Sequence, residues 1–225
     1  YWFPPGGVLM TIFTPLLEFV APAVPGDVFP YFFTMEMFQR AMISAIIVTI
    51  VAGLLGTFLL VRNLALIGDG LAHVSFGGVA IGIVLGATHP LYYALAFSIT
   101  ASIIIYELQS RGILTGDASI AIFLTGMLAL GLVALRTNGG GITTDIEGYL
   151  FGNLLLIDGS DLDLISWICI GSLLILFLIR SGLLAITVDP LAAAVQGIPV
   201  RTIGILFSVI TAAVVVSMVQ VVGAL

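Results

Sequence analysis

From Met37 onward the chain alternates long apolar runs with short polar breaks. The runs cover about Met37–Val61, Leu64–Ala87, Leu91–Leu108, Ala118–Leu135 and Leu162–Ile179, and a sixth starts near Thr202 and continues to the last residue. The breaks are Arg62-Asn63, His89-Pro90, Gln109-Ser110-Arg111-Gly112 with Thr115-Gly116-Asp117, and Arg136-Thr137-Asn138-Gly139-Gly140-Gly141. An α-helix needs about 20 apolar residues to cross the hydrocarbon core of a bilayer. Each run therefore predicts a spanning helix, and Thr115 or Asp117 supplies a cap for the fourth. Strands of a membrane barrel would show about 10 residues of period-two alternation instead. Residues 145–157 are apolar but too short to span, and residues 181–200 read as a loop with a helical middle.

Residues 1–34 break this pattern. They are apolar, but Pro4, Pro5, Pro15, Pro22, Pro25 and Pro30 interrupt them, as do Glu18 and Asp27. The prediction is an interfacial N-terminal segment with a short helix near Val8–Val20, followed by one transmembrane domain over 35–225. No basic region precedes the apolar stretch, so it does not read as a cleaved signal peptide. Tyr1 in place of Met, and an end at Val221-Val222-Gly223-Ala224-Leu225 inside an apolar run, lead us to expect a chain truncated at both ends.

Composition sharpens the class. Of 225 residues, 60% are hydrophobic and 8% charged, with mean hydropathy +1.28. Soluble domains carry about 25% charged residues. The expected fold is thus all-α: a polytopic transmembrane helical bundle. A net charge of −6 excludes a nucleic-acid partner, leaving membrane lipid as the surrounding medium. Cys169 lies within a span and has no second cysteine to pair with.

Arginine placement sets orientation. Counting turns puts Arg62, Arg111, Arg180 and Arg201 on one side and Arg40 and Arg136 on the other. The positive-inside rule assigns the first set to the cytoplasm. The opposite rim then collects Glu36, Asp145, Glu147, Asp158, Asp161 and Asp163, a cation-attracting face. Glycines add a packing signal. Gly78, Gly82 and Gly86 recur every four residues on the second span, a ridge that lets helix backbones approach in a bilayer.

The candidate chemistry lies in Gly68-Asp69-Gly70-Leu71-Ala72-His73, on that same span. At i and i+4 a helix holds the carboxylate and imidazole on one face. Three readings fit: a structural Asp–His contact, a proton relay, or a transient site for a divalent metal ion. Asp plus His suits Zn²⁺, Mn²⁺ or Fe²⁺ as passing cargo rather than as a permanent cofactor, and two ligands are too few for a closed site. Ligation needs neutral His73, so affinity is expected to fall at low pH. His89, next to Pro90, reads as a turn residue. No GxxxxGK[ST], HExxH, GxSxG or CxxC motif occurs, so the chain is not expected to hydrolyse nucleotide or act as a protease or redox enzyme.

These residues also resemble a known family. Phe38-Gln39-Arg40-Ala41, Gly53-Leu54-Leu55-Gly56, Gly68-Asp69-Gly70-Leu71-Ala72-His73 and Gly78-Val79-Ala80-Ile81-Gly82 are similar to segments of the permease subunits of zinc/manganese/iron ABC transporters of bacteria and archaea. So are Tyr149-Leu150-Phe151-Gly152-Asn153-Leu154-Leu155, then Asp189-Pro190, Ala194, Gly197 and Ile198, and Val222-Gly223-Ala224-Leu225. The resemblance covers about residues 36–225 and stops before the family's later helices.

It implies an importer permease of the cobalamin-permease-like type in a prokaryotic cytoplasmic membrane, carrying Mn²⁺, Zn²⁺ or Fe²⁺ past Asp69 and His73. It also implies a second permease copy, a cytoplasmic ATP-binding subunit and an extracytoplasmic metal-binding protein. Asp189, Pro190, Ala194 and Gly197 fall in the region that would couple to the ATPase, where Ala192 and Ala193 extend a small-residue surface. Tyr149, Phe151 and Gly152 fall on the outer side, where a gate would lie. The rival functions are a permease for a metal chelate, such as a siderophore or cobalamin, and a gradient-driven metal transporter.

Overall fold

The computed structural model describes residues 4–23, 25, 29–137, 157 and 159–222. Among them every regular element is helical: α1 (Pro5–Val20), a short 3₁₀ turn (Ala21–Ala23), α2 (Phe29–Thr34), α3 (Glu36–Val61), α4 (Ile67–Val84), α5 (Pro90–Ser110), α6 (Gly116–Thr137), α7 (Gly159–Val188), α8 (Pro190–Val195) and α9 (Val200–Val222). Six of these, α3 to α7 and α9, are long and apolar enough to cross a membrane. The all-α bundle read from the hydrophobic pattern is the fold observed. One boundary differs. The fifth span was expected to end at Ile179, yet α7 continues through Arg180 to Val188, because no proline or left-handed residue interrupts it before Asp189-Pro190.

α4 lies at the centre, packed between α5 and α6 and touched by α9. Glycine makes this possible, since in lipid close van der Waals contact replaces the hydrophobic force between helices. A Cβ on Gly78 would lie 2.8 Å from Ala94 Cα and 2.9 Å from Tyr93 O, both backbone atoms of α5. On Gly82 it would meet Pro90 Cα at 3.2 Å. The α6 side is equally tight: a Cβ on Gly77 would meet Met127 O at 2.8 Å, and one on Gly131 would meet Gly77 Cα at 3.1 Å. Gly86 corrects the predicted ridge. It has nothing within 4 Å and sits at φ +71°, ending α4 rather than packing it. Its N–H donates to Ile83 O and that of Ala87 to Gly82 O, each at 2.9 Å, the two bonds of a Schellman cap.

Asn63 (φ 56°), Gly112 (φ 67°) and Gly197 (φ 81°) end α3, α5 and α8 with the same pair of bonds. Each reversal is compact, so successive helix ends stay close together. Arg62, Tyr106, Ser110, Pro190 and Val200 surround one cavity, which puts the ends of α3 and α5 and the starts of α8 and α9 on one face of the bundle. That is the grouping of Arg62, Arg111 and Arg201 expected from counting turns.

α1 is apolar but has only 16 residues. It lies against α3 and α7 and is fastened by polar bonds at both ends. Gly6 N–H donates to Asp163 Oδ1 at 2.8 Å near the start of α7, which also places a negative charge at the N-terminus of α1. Thr14 Oγ1 donates to Gln39 Oε1 at 3.1 Å, and buried Gln39 donates through Nε2 to Phe33 O at 2.8 Å. Two acids of the expected rim are therefore engaged: Asp163 with α1, and Glu36 in an ion pair with Arg40. Asp145, Glu147 and Asp158 lie outside the described residues.

Gly78→Ala should lower the thermal unfolding midpoint in detergent by several degrees, since overpacking against fixed backbone costs about 1–3 kcal/mol. Gly53→Ala, where a Cβ meets nothing within 4 Å, should leave the midpoint unchanged or raise it. Equal effects of the two substitutions would contradict backbone contact as the basis of α4 packing.

Candidate functional site

Asp69 and His73 come from the first two turns of α4. The carboxylate is at the helix N-terminus, where the unpaired N–H groups and the helix dipole favour negative charge. This lowers the cost of an acid on an apolar helix. His73 Nε2 lies 3.7 Å from Asp69 Oδ1. That is too long for a hydrogen bond. Two donors holding one ion at about 2.0–2.2 Å with a tetrahedral angle stand about 3.4 Å apart, so a small side-chain closure would bring both onto a single cation.

The pair is asymmetric. The His73 side chain is 12% exposed and that of Asp69 62%. Further along the same face, Phe76 and Ala80 are buried. The face is thus open at Asp69 and closed from His73 onward. His73 Nδ1 is buried without a hydrogen-bond partner among the described residues. Among those residues no group of three or more His, Cys, Asp or Glu side chains converges to hold a metal ion. Asp69 and His73 are thus two potential ligands side by side, with Asp69 exposed. His89 stands apart at the start of α5, its ring edge-on to Tyr92 at 6.1 Å.

The second candidate region is α8. Asp189 caps it, its Oδ1 accepting from Leu191 N at 2.9 Å and Ala192 N at 3.1 Å, and Pro190 occupies the first helical position, where no N–H is needed. Gly197 closes the helix in the left-handed conformation. The expected small-residue surface needs one correction. Ala193 is buried at 2% exposure, because it faces the bundle, while Ala192 and Ala194 are exposed. What projects outward is larger and apolar: Val188 (85% exposed), Leu191 (80%) and Val195 (89%). These three neighbouring aliphatic side chains form an exposed apolar patch. Tyr149, Phe151 and Gly152 lie outside the described residues.

Two features escaped the reading of the sequence. Gly70 and Gly77, seven residues apart, seat α4 on Ile120 and Met127 of α6; their spacing is itself a helical-face signal. Glu107 binds Arg111 on its own helix (Nε to Oε2, 3.0 Å) and Arg201 at the start of α9 (Nε to Oε1, 2.9 Å). The i,i+4 spacing of Glu107 and Arg111 is legible in the sequence, but the partnership with Arg201, 94 residues away, is not.

The chain is similar to the manganese import system permease protein ScaB of Streptococcus gordonii, with 34% identity over 82% of this chain and 66% of the relative. It is also similar to the manganese transport system membrane protein MntC of Halalkalibacterium halodurans, with 36% identity over 82% of this chain and 63% of the relative. It therefore spans just under two thirds of the length of these curated relatives. Among solved structures, PsaBC from Streptococcus pneumoniae in complex with Fab superposes with a TM-score of 0.71 at 32% identity, covering 84% of this chain and 68% of the other. Residues 34–225 match the ABC 3 transport family. With its six apolar spans, this multi-pass protein of the cytoplasmic membrane belongs to the ABC 3 transport family.

Proposed function

We propose that the chain is the permease part of an ATP-driven importer for a divalent transition-metal ion, with Mn²⁺ the leading substrate. The observation that carries this reading is the Asp69–His73 pair: two metal-ligating groups 3.7 Å apart, on a face of the central helix open to a further ligand. The names of the relatives support manganese; the donor set also accepts Zn²⁺ and Fe²⁺.

The chain performs no covalent step. Asp69 contributes charge that attracts the cation, and His73 contributes a neutral nitrogen. With only these two ligands from one chain, binding stays weak enough for release. The open side of Asp69 supports a second permease copy, water or further residues of the full-length protein as the source of the remaining ligands. An extracytoplasmic metal-binding protein delivers the ion. A cytoplasmic ATP-binding subunit supplies the energy, docking on Val188, Leu191 and Val195, with Asp189, Pro190, Ala194 and Gly197 fixing the shape of the α8 turn. A bare ion suits this pair better than a siderophore or cobalamin, which need a wide path rather than two close ligands. Dependence on the ATPase subunit distinguishes this reading from a gradient-driven transporter.

In liposomes containing the complete transporter, Asp69→Asn and His73→Ala should each reduce ATP-dependent Mn²⁺ uptake at least tenfold while leaving assembly intact by size-exclusion chromatography. Wild-type uptake in either variant would refute the site. Leu191→Glu combined with Val195→Glu should abolish co-purification of the ATP-binding subunit and leave the permease folded; retention of that subunit would show that α8 is not where it docks.

A further inference from the structure

The cavity on the arginine-rich face has no place in metal transport as described above. Its volume is about 230 Å³, and it lies between the end of α3, the start of α4, the last turns of α5 and the starts of α8 and α9. Arg62 lines it together with Tyr106, Gln109, Ser110 and Ser208. A guanidinium here repels a passing metal cation, so the cavity is poorly suited to the ion path.

Arg62 differs from Arg40, Arg111 and Arg201. Arg40 pairs with Glu36, and Arg111 and Arg201 share Glu107. Arg62 has no carboxylate partner among the described residues; its guanidinium lies over the Phe207 ring, 5.3 Å from the centroid. Burial lowers its pKa, which reflects the cost of holding that charge away from water. An anion in the cavity would offset this cost. The rim adds to the attraction, because Arg111 and Arg201 outnumber Glu107 two to one. The Tyr106 hydroxyl donates to Val200 O at 3.5 Å, the outer limit of a hydrogen bond, so its O–H is only weakly held.

We propose that this cavity binds a phosphate oxyanion, supplied by the headgroup of an anionic phospholipid. Its walls are the ends of spanning helices, so its mouth lies at headgroup level. Basic pockets between helices on the cytoplasmic side suit such headgroups. Arg62 provides a forked, charge-assisted contact to the phosphate and Tyr106 a neutral donor. The apolar walls formed by Leu64, Ile67 and Ile105 accept the adjoining glycerol and first methylenes. Bound there, the lipid would join five helix ends at the face that carries α8.

The test uses the complete transporter in nanodiscs of phosphatidylcholine, with and without phosphatidylglycerol, and in phosphatidylcholine with added inorganic phosphate. Phosphatidylglycerol should raise the wild-type unfolding midpoint by several degrees and should be retained in native mass spectra. Arg62→Gln should lose both effects, Arg62→Lys should keep part of each, and Arg180→Gln, outside the cavity, should keep both in full. If Arg62→Gln does not fold, Tyr106→Phe takes its place, with an expected weakening of retention. A midpoint rise with inorganic phosphate alone would keep the oxyanion site and overturn the lipid as its source. No rise in the wild type, or an equal rise in Arg62→Gln, would overturn the proposal. So would loss of the ATP-binding subunit from Arg62→Gln in every lipid, which would make the cavity a protein contact.

Discussion

The contact between the α4 backbone and the backbones of α5 and α6 is the constraint on which the rest of the bundle depends. In lipid, apolar side chains gain little by leaving their surroundings, so helices associate through close, extensive contact. Gly77 and Gly78 are adjacent in sequence and therefore about 100° apart around the helix. One opens the way to α6, the other to α5. This pair of hydrogens in place of side chains lets α4 sit between two neighbours at once. The same placement fixes the rotation of α4 about its axis, and with it the direction in which Asp69 and His73 project. The geometry of the Asp69–His73 pair thus follows from residues one to two turns away that carry no polar group.

A second constraint operates at the arginine-rich face. Three helices, α3, α5 and α8, end there in the same two-bond reversal around a residue at positive φ, and at two of these the residue is glycine. Asn63 is the third, a residue type that tolerates this conformation because its short polar side chain adds little steric conflict. These reversals hold the connections short. They gather Arg62, the Glu107 cluster and α8 within one end of the bundle, where charge and exposed apolar surface stand side by side.

Much of this was legible in the chain. Each apolar run became a helix, because 20 apolar residues in a bilayer have few other ways to satisfy their backbone. The Asp189-Pro190 cap was readable because its signal is local. The errors were of a different kind. Gly86 fits a four-residue repeat with Gly78 and Gly82, yet the helix ends at Val84; periodicity does not report where a helix stops. Ala193 differs from Ala192 and Ala194 only in which side of α8 it occupies, and in a six-residue helix with a uniform alanine run composition cannot tell the sides apart. The approach of Asp69 to His73 followed from i,i+4 spacing, whereas the exposure of one and enclosure of the other depend on α5 and α6. Arg62 looked like a topology marker, and only the meeting of five helix ends gave it a cavity.

The bond from Gly6 to Asp163 has a consequence for biosynthesis. Its partners are separated by 157 positions. During synthesis α1 emerges before its anchor on α7, which appears only after α3 to α6 have been made. The Thr14–Gln39 contact, 25 positions apart, can form early. α1 can therefore dock in two stages, first against α3 and later against α7, its final seating waiting on the insertion of α3 to α6.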